Sequence, residues 1–146
     1  MGIKNRRIMP RLFPWLLVVG AAVVMVLRAP GFFIEPRIWA EEGTVYMAYA
    51  YNHSFWQALL AVHQGYYALF PNLATILALH AGVEHAPVVT TWLSFGAQLL
   101  PVALIAWSNG SVWCAWYRRI LGVLAVLFAA SSGEVWLNSI NAQFYW

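Results

Sequence analysis

Aspartate is absent from the 146-residue chain, and its five acids are all glutamates. Charged residues of either sign amount to 9%, against about 25% in a soluble domain. So few charges cannot cover a water-facing surface. The shortage excludes an ordinary soluble fold and favours burial in a membrane. Cysteine is nearly missing. Cys114 stands alone, so no internal disulfide can form and nothing follows about redox compartment. A continuous basic patch is also lacking. The net charge of +3 draws on Lys4, Arg6, Arg7 and Arg11, ahead of the first apolar run, and on the Arg118-Arg119 pair. Neither cluster is interleaved with aromatics, so nucleic acid is not expected as a partner. Both have the form of membrane topology signals. His53, His63, His80 and His85 show no tight ligand spacing, and no haem site is read from them.

What remains is apolar: the mean hydropathy is +0.66, with nine Trp and seven Tyr. Such amphipathic rings favour bilayer interfaces. Residues 12–28 form a first run of Leu, Val and Ala flanked by Arg11 and Arg28, whose side chains can snorkel. Arg28-Ala29-Pro30-Gly31 follows the run in place of a small-x-small cleavage site. The run is therefore expected to be an uncleaved anchor. Residues 88–107 and 120–137 supply two further apolar stretches. The residues between them, 29–86, hold Glu35, Arg37, Glu41, Glu42 and Glu84. Each acid would cost about 2–3 kcal/mol at the centre of a membrane helix, so this segment is expected outside the bilayer core.

Within it, 44–62 is uncharged and rich in Tyr, and reads as one helix lying in the interface plane. Residues 65–82 are long enough to cross, but Pro71, Asn72 and His80 interrupt them. If 65–82 stays on the outer side, Arg118-Arg119 falls inside with the N-terminal basic cluster, and every Glu falls outside. The expected fold class is therefore all-α. It comprises polytopic transmembrane helices in a single membrane domain, 1–146, with three spans and outer-side juxtamembrane helices. A fourth span follows only if 65–82 crosses. The expected location is the inner or plasma membrane, multi-pass, with a cytoplasmic N-terminus.

Trp39-Ala40-Glu41-Glu42-Gly43 carries the most chemistry. Adjacent carboxylates just beyond a first span can supply a general base. They can also hold a divalent cation that neutralises a phosphate leaving group. A plain solvated loop is the competing reading. Arg37 beside them could contact a lipid phosphate or pair locally with Glu35 or Glu41.

Trp39-Ala40-Glu41-Glu42-Gly43-Thr44-Val45-Tyr46 precedes a Tyr-rich stretch and then His63-Gln64-Gly65-Tyr66-Tyr67-Ala68-Leu69-Phe70-Pro71. This order resembles the start of the GT-C fold membrane glycosyltransferases. In that family an acidic motif opens a long outer loop, and juxtamembrane helices follow it. The family acid usually stands four residues before an aromatic, as Glu42 stands before Tyr46. The family residue is most often Asp, which this chain lacks.

The resemblance implies transfer of a sugar from a polyprenyl-phosphate donor to an acceptor on the outer face. The sequence does not specify the acceptor. It implies Glu42 as first catalytic candidate and Glu41 as second, both also as ligands of a magnesium or manganese ion. It implies substrate contacts from Arg37, His63 and Tyr66, and from Glu134, Asn138 and Asn141 in a later outer loop. It implies, too, that this layout is the N-terminal portion of a larger enzyme. The alternative function is a non-enzymatic membrane subunit, such as a transporter piece or an assembly factor.

Overall fold

A computed structural model describes residues 11–129 and Ser139. Helix makes up 75% of the structure and strand 3%, so the protein is all-α in class. Among the described residues the strands are a single pair of two residues each.

Helix α1, Phe13–Arg28, has a proline in its first turn, where the missing N–H has no helical partner to lose. Arg28 closes its last turn, where a cation suits the helix dipole. A short α2, Gly31–Ile34, follows Pro30. A π-helical turn, Glu42–Met47, runs directly into α3, Ala48–Asn52. Then come α4, Phe55–Leu59, the strands β1, Val62–His63, and β2, Tyr66–Tyr67, and α5, Leu69–His80. Helix α6 is Ala86–Trp107. A 3₁₀ turn, Ser111–Trp113, leads to α7, Trp116–Ala129.

Helices α1, α6 and α7 pack on one another around Ala21, Met25, Val102, Val123 and Leu127. The Trp15 ring at the start of α1 meets Trp107 at the end of α6, edge to face at 4.9 Å. Arg28 at the end of α1 donates to the Leu127 carbonyl near the end of α7, at 2.5 Å. So α1 and α7 run the same way and α6 runs against them. Residues 31–85 gather at the end where α1 finishes and α6 begins. There Phe33 packs on Trp92 and Phe95, and Met47 and Ala78 pack with Ala86.

The buried side of α6 is small or polar: Thr90, Thr91, Ser94, Ala97, Gln98, Val102 and Ala106. Small residues let backbones approach closely. The hydroxyls of Thr90 and Ser94 bond back to Pro87 and Thr90 carbonyls, at 3.3 and 2.7 Å. Large apolar residues point outward instead, among them Leu16, Val19 and Val23 of α1, Leu100 and Leu104 of α6, and Leu121 and Phe128 of α7. Among the described residues, α6 is the one helix long and apolar enough to cross a membrane. Its 22 residues reach about 33 Å, whereas the 16 of α1 reach about 24 Å.

Two sequence expectations change. Residues 44–62 are not one helix. The side chains of Asn52 and His53 bond back to the carbonyls of Ala48 and Tyr49, at 2.8 and 2.9 Å, and Ser54 with Gln57 forms a capping box that starts a new helix. Residues 65–82 are not one helix either. Gln64 and Gly65, with φ of 51° and 87°, make the two-residue hairpin turn in which both positions need positive φ. Helix α5 starts only at Leu69, and Pro71 lies in its first turn, so it opens the helix and does not interrupt it. At 12 residues, or about 18 Å, α5 is short of a bilayer's ~30 Å.

Arg119 differs from its neighbour Arg118. It is 7% exposed, and its guanidinium donates to the carbonyls of Trp113, Ala106 and Ser108, at 2.8, 2.9 and 2.7 Å. It closes the C-terminal end of α6, whose last carbonyls have no helical partner.

Candidate functional site

The site is built on the π-helical turn. Successive residues on a helix face in different directions, and the two glutamates separate accordingly. Glu41 is exposed and Glu42 is 1% exposed. Gly43 lets the turn pack closely: a Cβ there would stand 3.2 Å from the Ile38 side chain, which would have to shift slightly. The Thr44 hydroxyl donates to the Ala40 carbonyl at 2.6 Å, within a backbone already wider than an α-helix. Single π-turns of this kind recur at functional sites.

Glu42 accepts a hydrogen bond from the Trp39 backbone N–H at 3.4 Å and another, very short, from the Ser139 hydroxyl. Burial pushes its carboxyl above the ordinary range, and hydrogen bonds from the Ser139 side chain, the Trp39 backbone and the Ser139 backbone pull it partly back. Burial prevails because removing a charge from water outweighs what these donors return. The result is a proton-hungry carboxylate, the condition a general base requires.

A second cluster lies one turn along. Tyr46 is buried, and its hydroxyl meets that of Tyr66 at 3.4 Å. Burial raises the Tyr46 pKa most, followed by Tyr66 and then the charge of Glu41. Glu41 therefore acts on the tyrosine pair and not on the Glu42 pocket. The His63 ring stands edge-on to Tyr46 at 4.6 Å and to Tyr49 at 5.2 Å. Burial lowers its pKa, which favours neutral imidazole. His53 stacks flat on Tyr49 at 3.8 Å. Asn72 braces the cluster from below, donating to the Leu59 and Ala61 carbonyls at 3.1 and 2.9 Å.

Of the residues expected at the site, Glu42 is central. Glu41, Tyr66 and His63 form the neighbouring cluster. Arg37 is exposed and lies over the Phe32 ring at 5.6 Å. Glu134, Asn138 and Asn141 lie outside the described residues. Ser139, their neighbour, was not anticipated, and the polar run around it was the available signal. Trp39 Nε1 and Asn72 Oδ1 are buried and have no hydrogen-bond partner among the described residues.

A magnesium or manganese ion is expected on the glutamate pair, of which Glu41 is exposed and Glu42 buried. The two carboxylates diverge, and no three His, Cys, Asp or Glu side chains converge among the described residues. Comparison with protein-family models, with curated proteins and with solved structures finds no match.

Proposed function

We propose that the chain is a polytopic membrane glycosyltransferase that takes its sugar from a polyprenyl-phosphate donor at the outer face. The observation that carries this reading is Glu42: a buried carboxylate with raised proton affinity, opening a loop rich in aromatic side chains. In the reaction, Glu42 accepts the proton of an acceptor hydroxyl. The hydroxyl oxygen bonds to the anomeric carbon as that carbon's bond to phosphate oxygen breaks. Polyprenyl phosphate leaves with the electron pair. The Ser139 hydroxyl, bonded to Glu42, occupies the position an acceptor hydroxyl would take, and substrate displaces it. Tyr66, His63 and the exposed Arg37 are the nearby groups for sugar and phosphate. No step is routed through a metal ion.

In the same proposal α1, α6 and α7 cross the inner or plasma membrane, with the N-terminus and Arg118 on the cytoplasmic side. Support comes from the outward-facing apolar side chains. It comes also from the glutamates, since all those described lie between α1 and α6 at one end of the bundle.

The test is sugar transfer from a polyprenyl-phosphate donor by the purified, reconstituted protein, followed against pH. The rate should rise with pH through an ionisation above the ordinary carboxylate value of 4.5. Absence of transfer at every pH would count against the reading. One observation favours a non-enzymatic alternative. Glu42 is 1% exposed and bound to a residue 97 positions away, as in a latch that only ties the loop to the segment holding Ser139. A latch leaves no pH-dependent transfer to observe.

A further inference from the structure

The opposite end of the bundle carries an open groove of about 570 Å³. Its walls are Leu104, Ile105 and Trp107 of α6, together with Ser108 and Trp113 of the following turn. The lining is mostly apolar. No element of the described chain covers it, although Trp107 and Leu104 lie 43% and 65% exposed.

Among the described residues the charges around the groove are of one sign. Arg119 is spent on three carbonyls, but Arg118 is exposed. Its guanidinium lies 3.4 Å from the Val112 carbonyl, one residue before the groove wall at Trp113. Its only other described contact is the face of Tyr117, at 5.8 Å. Arg11 stands one turn ahead of Trp15, and Trp15 packs on Trp107 of the groove. Among the described residues every glutamate, Glu35, Glu41, Glu42 and Glu84, lies between α1 and α6 at the far end.

We infer that this groove binds an anionic phospholipid, with an acyl chain against Leu104, Trp107 and Trp113 and the phosphate at Arg118. Three features select that occupant. An apolar trough suits a hydrocarbon chain. A guanidinium at its rim suits a phosphate. The rings of Trp107, Trp113, Trp116 and Tyr117 mark the level where a lipid headgroup meets its chains. An acidic protein segment would meet the arginine but not the trough. A zwitterionic lipid would fill the trough and offer the same phosphate, but its ammonium group offsets that charge and it gains less from the arginine. The inference rests on the proposed membrane crossing of α1, α6 and α7 but not on the glycosyltransferase chemistry, because the groove is at the other end of the bundle from Glu42.

The test is a native mass-spectrometric titration of the detergent-solubilised full chain. The probes are phosphatidylglycerol and phosphatidylcholine with identical acyl chains. Phosphatidylglycerol should bind about fivefold tighter, the size expected of one arginine near a lipid phosphate. Arg118→Gln should remove the preference while leaving thermal unfolding unchanged, since the side chain is exposed. Ala103→Trp, which fills the groove, should weaken retention of both lipids. Equal affinity of the wild type for the two lipids overturns the inference. So does a preference that survives Arg118→Gln, or displacement of bound lipid by inorganic phosphate alone.

Discussion

Arg119→Met keeps an apolar stem of similar reach and removes all the donors. Three carbonyls then lose their partner: Ala106, which is buried, and Ser108 and Trp113, which are half-buried. A hydrogen bond to a charged group is worth about 1.5–3 kcal/mol. Water can reach the two half-buried carbonyls and recover part of that, but not the one on Ala106. The expected loss is about 3–5 kcal/mol, at the upper end for a single substitution. For a chain of this size that is a fall of roughly 10 °C in the thermal midpoint. Arg119→Lys restores one or two bonds from a single point and should recover about half the loss. The assay is thermal unfolding of the detergent-solubilised protein, wild type beside both variants. The loss should be general rather than local, because Arg119 fastens the start of α7 to the end of α6. A midpoint for Arg119→Met within a degree or two of wild type would refute the reasoning, since it would mean the carbonyls are satisfied without the arginine.

Three further outcomes follow from other contacts. Gly122→Ala puts a Cβ 2.5 Å from the Trp113 ring. The ring must move, at a cost of about 1–3 kcal/mol in the same unfolding assay, whereas Gly20→Ala, with open space around it, should be neutral or slightly stabilising. Asn72→Ala leaves the Leu59 and Ala61 carbonyls without their donor and should cost about 1–3 kcal/mol. Proteolysis between α4 and β1 should accelerate. Stability should depend on pH through Glu42. Its carboxyl holds a proton more tightly in the fold than in the unfolded chain, so its contribution is complete below 4.5 and is lost as pH rises through the raised folded value. Thermal midpoints measured against pH should lose that decline in Glu42→Gln.

The helical class was legible because the apolar runs are long and the charges sit at their ends. The run at 88–107 became α6 almost as read. The break at Ser54 was legible only in part. Ser54 and Gln57 carry a capping-box signature, but the Tyr-rich interface pattern around them dominated the reading. Pro71 reads as a breaker, since nothing local reveals that Gln64-Gly65 makes a hairpin and moves the helix start to Leu69. Arg119 could not be told from Arg118 by sequence. The two differ only in which faces the end of α6, a property of the packed helices. The Glu41-Glu42 pair was found by composition, but the π-turn decides which of the two is buried. Ser139 reaches Glu42 across 97 residues, a distance over which no local pattern speaks.

The most direct test of the catalytic claim is turnover by Glu42→Gln in the purified, reconstituted protein, with polyprenyl-phosphate sugar as donor. Glutamine keeps the shape, accepts with its single amide oxygen from one of the two donors, Ser139 or Trp39, and cannot take up the acceptor's proton. Loss of a general base costs about 10²–10⁴-fold in rate, or roughly 3–5 kcal/mol of barrier. The account predicts a loss of that size with an unchanged or slightly raised thermal midpoint. Glu41→Gln, altered at an exposed position, should lose much less. Turnover by Glu42→Gln close to that of the wild type would contradict the account and leave Glu42 as a structural contact alone.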